Sequence, residues 1–234
     1  MTNTGRAVAV ALLLAAGFLA GYGLRGYTEP PEDAITAAYM ANLRVFQQRV
    51  LMDLPDSAIP VYGDSHIQGL ALQRADSRLV NFGIGHDRVG TLAERVREGA
   101  SQRRFSTYVV AVGINDLMHG ASSADVVGPI KSLISDLPFA RRLIIGSVLP
   151  VARTRPGAEA INERVRDVNE SLSALAATRA RVTYLNSYEV LADDEGYLPS
   201  RYHLGDGLHL NSEANRLWLR QLAQALDGAE AMAQ

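Results

Sequence analysis

The sequence predicts an α/β protein in which a five-stranded parallel sheet is covered by helices on both faces. Two observations predict this fold class. Five short apolar runs alternate along the chain with segments whose apolar residues recur at helical spacing. Four of those runs end at a glycine or a proline, the residues that most often end regular structure. Strands that alternate with helices form parallel sheets, because each crossover helix returns the chain to the same end of the sheet.

The predicted elements follow one another in a regular order. The strands cover Ala58–Tyr62, Arg78–Phe82, Thr107–Val112, Leu143–Leu149 and Val182–Leu185. The helices between and after them cover Ser65–Leu72, Val89–Gly99, Ser123–Leu137, Glu159–Ala177 and Ser212–Leu226. Asn211 stands directly before the last helix, so we expect it to cap that helix, and we expect Trp218 to be a core residue.

The N-terminal part is organised differently, as a signal anchor or signal peptide over residues 1–25. Ala7 to Leu24 is an apolar run of 18 uncharged residues between Arg6 and Arg25, long enough as a helix to span about 27 Å. An uncleaved anchor is favoured over a cleaved signal, because the run continues past the small residues that a cut would need. Residues 26–56 are predicted to be a linker and a juxtamembrane helix over Asp33–Met52, and residues 57–230 are predicted to form the main domain.

Composition excludes several classes of protein. The net charge is −2, and no basic stripe with interleaved aromatic residues is present, so nucleic acid is not an expected partner. The chain has no cysteine, which excludes disulfides, a thiol nucleophile and cysteine-ligated zinc. With 234 residues, 47% of them hydrophobic, it can bury one sizeable core.

Four polar motifs are placed where they can form one site. Gly63-Asp64-Ser65, Asn81–Gly85 and Gly113–Asp116 each follow a predicted strand, and Asp206-Gly-Leu-His209 precedes the last helix. In an open parallel sheet, the loops at the carboxyl ends of the strands gather along one edge, where ligands bind. We therefore expect the four motifs to converge there.

Ser65, His209 and Asp206 supply the three parts of a nucleophilic triad. A serine hydroxyl is a weak nucleophile until a base takes its proton, and a histidine is a reliable base only when a third group holds its ring. The spacing of His203, Asp206 and His209 would also suit a metal. That alternative leaves the serine and asparagine loops unexplained, so no metal is predicted.

The order of the four motifs resembles the SGNH (GDSL-type) serine hydrolase family over residues from about Ala58 to Leu226. The stretch Asn81-Phe82-Gly83-Ile84-Gly85 is similar to the platelet-activating-factor acetylhydrolase branch. The resemblance implies a three-layer α/β/α flavodoxin-like fold and hydrolysis of esters without a metal or other cofactor.

The resemblance also assigns roles. It implies that Ser65 is the nucleophile, His209 the general base and Asp206 the group that fixes the tautomer of His209. The oxyanion hole would consist of the Ser65 N–H, the side-chain amide of Asn115 and the backbone N–H of His86. The family has a glycine where this chain has His86, so Gly85 is the alternative donor if the loop is shifted by one residue.

The sequence leaves the substrate open. The expected partners are a small-molecule, lipid or carbohydrate ester and, through residues 7–24, a membrane. The catalytic domain would lie on the extracytoplasmic side, or in the periplasm if the signal is cleaved. Acyl transfer on the same site and an inactive binding module are the alternatives. We expect surface or supporting roles for three further histidines, His66, His86 and His119. His66 stands where the GDSL motif of the family has leucine.

Overall fold

A computed structural model describes residues 32–230 and contains the predicted parallel sheet. Its strands are β1 Ile59–Gly63, β2 Leu79–Gly83, β3 Thr107–Ala111, β4 Arg142–Gly146 and β5 Val182–Leu185. They pair in the order β2-β1-β3-β4-β5, and every neighbouring pair is parallel. This is the flavodoxin-like order, in which the winding direction reverses between β1 and β3. The predicted fold class is confirmed for the described residues.

Eight α-helices surround this sheet in the described part of the chain. They are α1 Glu32–Asp53, α2 Ser65–Gln68, α3 Val89–Gln102, α4 Ile114–Met118, α5 Ser123–Asp136, α6 Ala158–Ala177, α7 Ser187–Leu191 and α8 Ser212–Glu230. The bounds of α3, α5, α6 and α8 lie within a few residues of the prediction. The one-turn helices α4 and α7 were not predicted, because five residues are too short to show a helical period.

The predicted helix Ser65–Leu72 is wrong in its length. Helix α2 ends at Gln68, and Leu72–Arg74 forms a separate 3₁₀ turn. The side chain of Asn81, from the neighbouring strand β2, donates to the carbonyls of Ile67 at 2.7 Å and Leu70 at 3.1 Å. These carbonyls would accept bonds from the next turn of a longer helix. The asparagine therefore ends α2 after one turn.

The core lies on both faces of the sheet. Tyr62 and Val110 point to the face that α3, α5, α6 and the end of α1 cover, whereas Val61 and Val109 point to the face that α2, α7 and α8 cover. Successive residues of a strand alternate between faces, so each buried strand contributes to both layers. Trp218 is buried in the second layer as predicted.

The cap predicted for the last helix is confirmed. The Asn211 side-chain oxygen accepts the N–H groups of Glu213 at 3.0 Å and Ala214 at 3.1 Å. Two free donors of the first turn of α8 are thereby satisfied, which is the usual function of an N-cap asparagine.

The N-terminal predictions fall largely outside the described residues. The signal or anchor segment, residues 1–25, and the linker before residue 32 are among the residues not described. The predicted helix Asp33–Met52 is present as α1. Within residues 32–230, no helix is both long and apolar enough to span a bilayer. By its internal contacts the chain divides after Ala38, and the remainder of the description concerns residues 39–230.

Candidate active site

Three of the four motifs meet at the carboxyl edge of the sheet. Gly63, the last residue of β1, pairs with Gly83 at the end of β2 and with Ala111 at the end of β3. The loops that follow these residues therefore leave the sheet at the same level. This edge lies at the reversal point between β1 and β3, where ligands bind in folds of this order.

The turn that carries Ser65 depends on close packing. A Cβ atom at Gly63 would lie 2.5 Å from the carbonyl oxygen of Ala111 and 2.1 Å from the side chain of Ile67. Only glycine tolerates that approach. The Asp64 side chain then caps α2 by accepting the N–H of His66 at 2.9 Å. The chain thus turns from strand to helix within two residues, with Ser65 at the first helical position.

The structure brings Ser65, His209 and Asp206 together. The Ser65 hydroxyl oxygen lies 3.0 Å from Nε2 of His209, and Nδ1 of His209 lies 2.5 Å from a carboxylate oxygen of Asp206. A carboxylate accepts a hydrogen bond from Nδ1–H and leaves Nε2 as the acceptor for the serine hydroxyl. This is the geometry of a nucleophile, a base and an orienting acid.

Asp206 is held in its ionised form. Partial burial would raise its pKa, but hydrogen bonds from the His209 ring and from the N–H groups of Leu208 and His209 outweigh that effect and lower the pKa to about 2. The side chains of Asp206 and His209 remain 41% and 42% exposed. Asp206 is therefore ionised at neutral pH, and both side chains are open to solvent.

The loop of residues 206–209 is fixed through its backbone carbonyls. Each of its four successive carbonyl oxygens accepts a hydrogen bond from elsewhere in the chain. The donors, in order, are the Arg155 side chain at 3.3 Å, the Ala152 N–H at 2.8 Å, Nε2 of His66 at 3.2 Å and the Leu204 N–H at 2.9 Å. The loop is thus anchored through its backbone while the side chains of Asp206 and His209 remain exposed.

His66 belongs to this anchoring. Burial, with a smaller contribution from the nearby His209, lowers the pKa of His66 to about 4. A neutral imidazole carries one N–H, which is placed on Nε2 here because the Leu208 carbonyl can only accept. His66 therefore joins the turn that carries Ser65 to the 206–209 loop.

Asn115 joins the third loop to the second. It is buried in α4, and its side-chain amide donates to the carbonyl of Asp87 at 3.0 Å. An amide nitrogen carries two hydrogens, so this bond leaves a second donor. Asp116, the next residue, accepts the N–H of Val89 at 3.0 Å and so fixes the start of α3. Burial raises the pKa of Asp116.

The loop of residues 84–87 contains the departure from the family pattern. His86 has φ +65°, and among the described residues no other non-glycine residue has a positive φ. That conformation suits the glycine of the family. The N–H of Gly85 donates to the Gln68 side chain at 2.8 Å, whereas no hydrogen bond in the described part of the chain uses the His86 N–H. His86, not Gly85, therefore presents a free N–H.

A buried ion pair beneath this loop was not predicted. Asp87 and Arg95 meet at 2.5 Å, with side chains that are 0% and 5% exposed. Arg95 also donates to the Phe82 carbonyl at 3.1 Å and to the Gln47 side chain at 2.8 Å. Asp87 accepts a further bond from Thr91. Both charges are thus paired and hydrogen-bonded, as buried charges must be.

Asp64 is a second buried acid that the sequence did not single out. It is 2% exposed, and burial raises its pKa to about 7, although its bond to the His66 N–H acts in the opposite direction. The negative charges of Asp87 and Asp116 add to the increase. The turn that carries Ser65 thus contains a carboxyl group that titrates near neutrality.

The remaining histidines are engaged elsewhere. Nδ1 of His119 lies 2.6 Å from the Asn115 carbonyl, and Nδ1 of His203 accepts the N–H groups of Gly205 and Gly207. Among residues 32–230, no group of three or more histidine or acidic side chains is placed to hold a metal ion.

Sequence comparison identifies the family. The family model of the GDSL-like lipase/acylhydrolase family matches residues 60–217. The chain belongs to this family. As a GDSL-like acylhydrolase it is an ester hydrolase, and the resemblance of its motifs to this class is confirmed. No curated protein matches the sequence significantly.

Solved structures with the same fold are GDSL-like proteins from several bacteria. A Streptococcus pneumonia protein provisionally named as a platelet activating factor is 21% identical, with a TM-score of 0.72 over 83% of this chain and 95% of that one. A GDSL-like lipase from Bacteroides thetaiotaomicron is 19% identical, with a TM-score of 0.65 over 81% and 99%. A catalytic mutant of an acetylxylan esterase from Geobacillus stearothermophilus is 14% identical, with a TM-score of 0.58 over 71% and 92%. At these identities the likeness shows the shared fold.

Proposed function

We propose that this GDSL-like protein hydrolyses carboxylic esters through an acyl-enzyme formed on Ser65. The observation that carries the proposal is the continuous hydrogen-bonded series from the Ser65 hydroxyl through His209 to Asp206, with distances of 3.0 and 2.5 Å. These distances lie within the reach that proton transfer from nucleophile to base requires.

In the first half of the reaction, Nε2 of His209 takes the Ser65 proton while the serine oxygen attacks the ester carbonyl carbon. The imidazolium that forms is stabilised by the ionised Asp206, which does not itself take the proton. When the tetrahedral intermediate collapses, the carbon–oxygen bond to the alcohol breaks. His209 then donates its proton to the departing alcohol.

In the second half, water replaces the alcohol. His209 takes a proton from the water as its oxygen attacks the acyl carbon, and the bond to Ser65 breaks with return of that proton to the serine. The acid is released, and the free enzyme is restored.

The oxyanion of both intermediates would be held by the Ser65 N–H, the second amide hydrogen of Asn115 and the His86 N–H. Helix α2 is a single turn, so its dipole contributes little and the individual donors carry the stabilisation. One such donor is commonly worth about a hundredfold or more in rate.

For the substrate, we favour an ester of a small acyl group, with carbohydrate and lipid esters as the classes to separate. The acetylxylan esterase with the same fold supports the carbohydrate ester as the first class to test. The test is an activity screen of the full chain against p-nitrophenyl esters of increasing acyl length and against acetylated polysaccharides. Activity that falls steeply beyond short acyl chains would support a small-acyl esterase, and a maximum at long chains would support a lipase.

Labelling with a fluorophosphonate probe separates this enzyme from an inactive binding module of the same fold. The wild-type protein should be labelled and Ser65→Ala should not. Failure of the wild-type protein to react, in a folded sample, would contradict an activated serine.

We further propose that residues 7–24 anchor the protein in a membrane, with the hydrolase domain outside the cytoplasm. The support is the uncharged run between Arg6 and Arg25. The full-length protein should then resist carbonate extraction from membranes, and its domain should be open to external protease once the outer barrier is removed. A mature soluble protein that begins near Phe18 or Leu24 would instead indicate a cleaved signal.

A further inference from the structure

Helix α1 contacts the loop that carries the departure from the family pattern. The family model begins at residue 60, so α1 lies before the matched segment. Gln47 of α1 nevertheless bonds the strand end that leads into the 84–87 loop, and Tyr39 of α1 bonds Gln68, whose side chain holds Gly85. Their partners are side chains that hold this loop in place.

The first connection runs through Gln68, the last residue of the nucleophile helix α2. Its side-chain oxygen accepts the N–H of Gly85 at 2.8 Å, and its side-chain nitrogen donates to the hydroxyl of Tyr39 at 2.5 Å. Tyr39 thereby fixes the orientation of the Gln68 amide. Without that bond the amide could rotate and release Gly85, which directly precedes His86.

The second connection runs through the buried ion pair. The Gln47 side chain is 8% exposed, accepts from Arg95 at 2.8 Å and donates to the carbonyl of Gly83 at 3.2 Å. Arg95 in turn holds Asp87, whose carbonyl accepts the amide of Asn115. Gln47 thus satisfies a strand-end carbonyl and the arginine that fixes the far end of the 84–87 loop.

We propose that α1 positions the oxyanion donors of this hydrolase through Tyr39–Gln68–Gly85 at one end of the 84–87 loop and Gln47–Arg95–Asp87 at the other. Tyr39, Gln47 and Gln68 are positioning residues that do not touch the substrate. This inference rests on the proposed oxyanion role of His86 and Asn115. It adds that a segment outside the family-matched region sets their geometry.

The left-handed conformation of His86 gives this positioning a physical reason. A non-glycine residue with φ near +65° is less stable than in its ordinary conformations, because its Cβ approaches the backbone closely. A loop that contains such a residue returns to a relaxed conformation unless its neighbours hold it. Gly85 and Asp87, the residues on either side of His86, are the two that the connections hold.

The experiment compares kcat and KM of the full-length wild-type protein, Gln68→Leu, Gln68→Glu, Tyr39→Phe and Gln47→Leu on a p-nitrophenyl ester. Because oxyanion donors act in the transition state, we expect kcat to fall by about tenfold for Gln68→Leu and about fivefold for Tyr39→Phe and Gln47→Leu, with KM nearly unchanged. Gln68→Glu should recover most of the loss, since a carboxylate can accept from both Gly85 and Tyr39. Gln48→Leu is the matched control, because Gln48 lies on the same helix but bonds Glu98.

A double-mutant cycle distinguishes positioning from general destabilisation. In the Asn115→Ala background, the effect of Gln68→Leu on kcat should shrink, because both changes act on the same oxyanion. Full additivity of the two effects on kcat would overturn the inference. So would an equal loss of kcat in Gln68→Leu and Gln68→Glu. A loss of kcat that follows the melting temperature in every variant, Gln48→Leu included, would also overturn it. If the proposed function itself is wrong, Ser65→Ala will retain turnover, which is a result independent of the α1 variants.

Discussion

The 206–209 loop and the 84–87 loop flank the same serine but are held by opposite means. The first is fixed by four backbone carbonyls, and its ionisable side chains are about two-fifths exposed. The second has the backbone bond from the Ile84 N–H to the Gly63 carbonyl but depends mainly on side chains, among them an ion pair that is almost completely buried. In the first loop, Asp206 and His209 are exposed to solvent and accessible to a substrate. In the second, Asp87 pairs with Arg95, which also bonds the Phe82 carbonyl, so these charges stabilise the backbone.

This difference indicates which substitutions should affect activity without affecting the stability of the fold. An exposed charge can be removed at little cost to folding, because water solvates whatever remains. A buried charge that loses its partner is destabilising, since it remains desolvated. We therefore expect substitution of Asp206 or His209 to reduce activity with little loss of stability, and substitution of Asp87 to reduce both.

The largest expected effect is the loss of the nucleophile or the base. Ser65→Ala and His209→Ala should each reduce kcat by at least about 10⁴-fold, because residues that act as a unit fail together. For the same reason the double variant should be little worse than either single one. Steady-state kinetics measure the loss, and circular dichroism should show unchanged folding. Substantial turnover by pure Ser65→Ala would refute the mechanism.

One aspartate from each loop provides a matched pair. Asp206→Ala should lower kcat by about a thousandfold or more while changing the free energy of unfolding by only about 1 kcal/mol or less. Asp87→Ala should lower the free energy of unfolding by about 3–5 kcal/mol, because Arg95 is left charged in the interior. Urea denaturation followed by fluorescence measures both.

The contrast between the two aspartates is what matters. Equal destabilisation by both variants would show that exposure does not distinguish the loops. Arg95→Met combined with Asp87→Leu, which removes both buried charges, should recover part of the stability that Asp87→Ala loses.

Asn115→Ala should have the next largest effect. It removes a proposed oxyanion donor and should reduce kcat by about a hundredfold or more, with a smaller change in KM. A change confined to KM would mean that Asn115 binds the substrate in its ground state. The bond from Asn115 to the Asp87 carbonyl is lost as well, so the melting temperature should be measured beside the kinetics.

Two residues that flank Ser65, Asp64 and His66, predict how the free energy of unfolding depends on pH. Asp64 has its folded pKa raised to about 7, so its contribution to stability is present at low pH and falls as pH rises from about 4 to 7. His66 has its folded pKa lowered to about 4, so its contribution rises with pH from about 4 to 6.5. The two slopes oppose one another and should partly cancel in the wild-type protein in this window.

When either residue is substituted, the free energy of unfolding should show the pH dependence that the other residue contributes. The free energy of unfolding of Asp64→Asn should increase with pH between about 4 and 6.5, by up to about 1.4 kcal/mol per unit, and that of His66→Leu should decrease. Denaturation at several pH values tests this. Parallel curves for the two variants would show that the opposing contributions do not exist.

The smallest expected effect is that of His86→Gly. Glycine adopts the left-handed conformation without a Cβ penalty, so the variant should gain up to about 1 kcal/mol of stability and keep most of its activity. His86→Pro, which removes the N–H and fixes φ near −65°, should be far less active. If His86→Gly is as inactive as Ser65→Ala, the imidazole itself takes part in catalysis.

The sequence predicted the sheet and the 206–209 site well, because both are local patterns. Glycine follows the first three predicted strands and proline the fourth, and Asp206 and His209 are three residues apart. Motif order then predicted their proximity to Ser65, which the structure contains. The catalytic roles of the three residues, and the N-terminal anchor, stay predictions.

The support of the 84–87 loop was not predicted, because its contacts join residues that are distant in sequence. Gln47 and Arg95 are separated by 48 positions. The sequence did indicate that both side chains would be buried. Arg95 lies on the apolar face of α3 beside Leu92 and Val96, and Gln47 lies on the buried face of α1. A polar side chain on an apolar helix face requires a buried partner, but periodicity alone does not identify which one.

The exposure of the 206–209 side chains also bears on where the acyl group goes. If Ser65 carries an acyl group as proposed, a molecule that approaches His209 from its exposed side can accept it. A sugar hydroxyl or another small alcohol at high concentration would partition the acyl-enzyme between hydrolysis and transfer in proportion to its concentration and nucleophilicity. Hydrolase and transferase would then be two outcomes of one intermediate, selected by what surrounds the site.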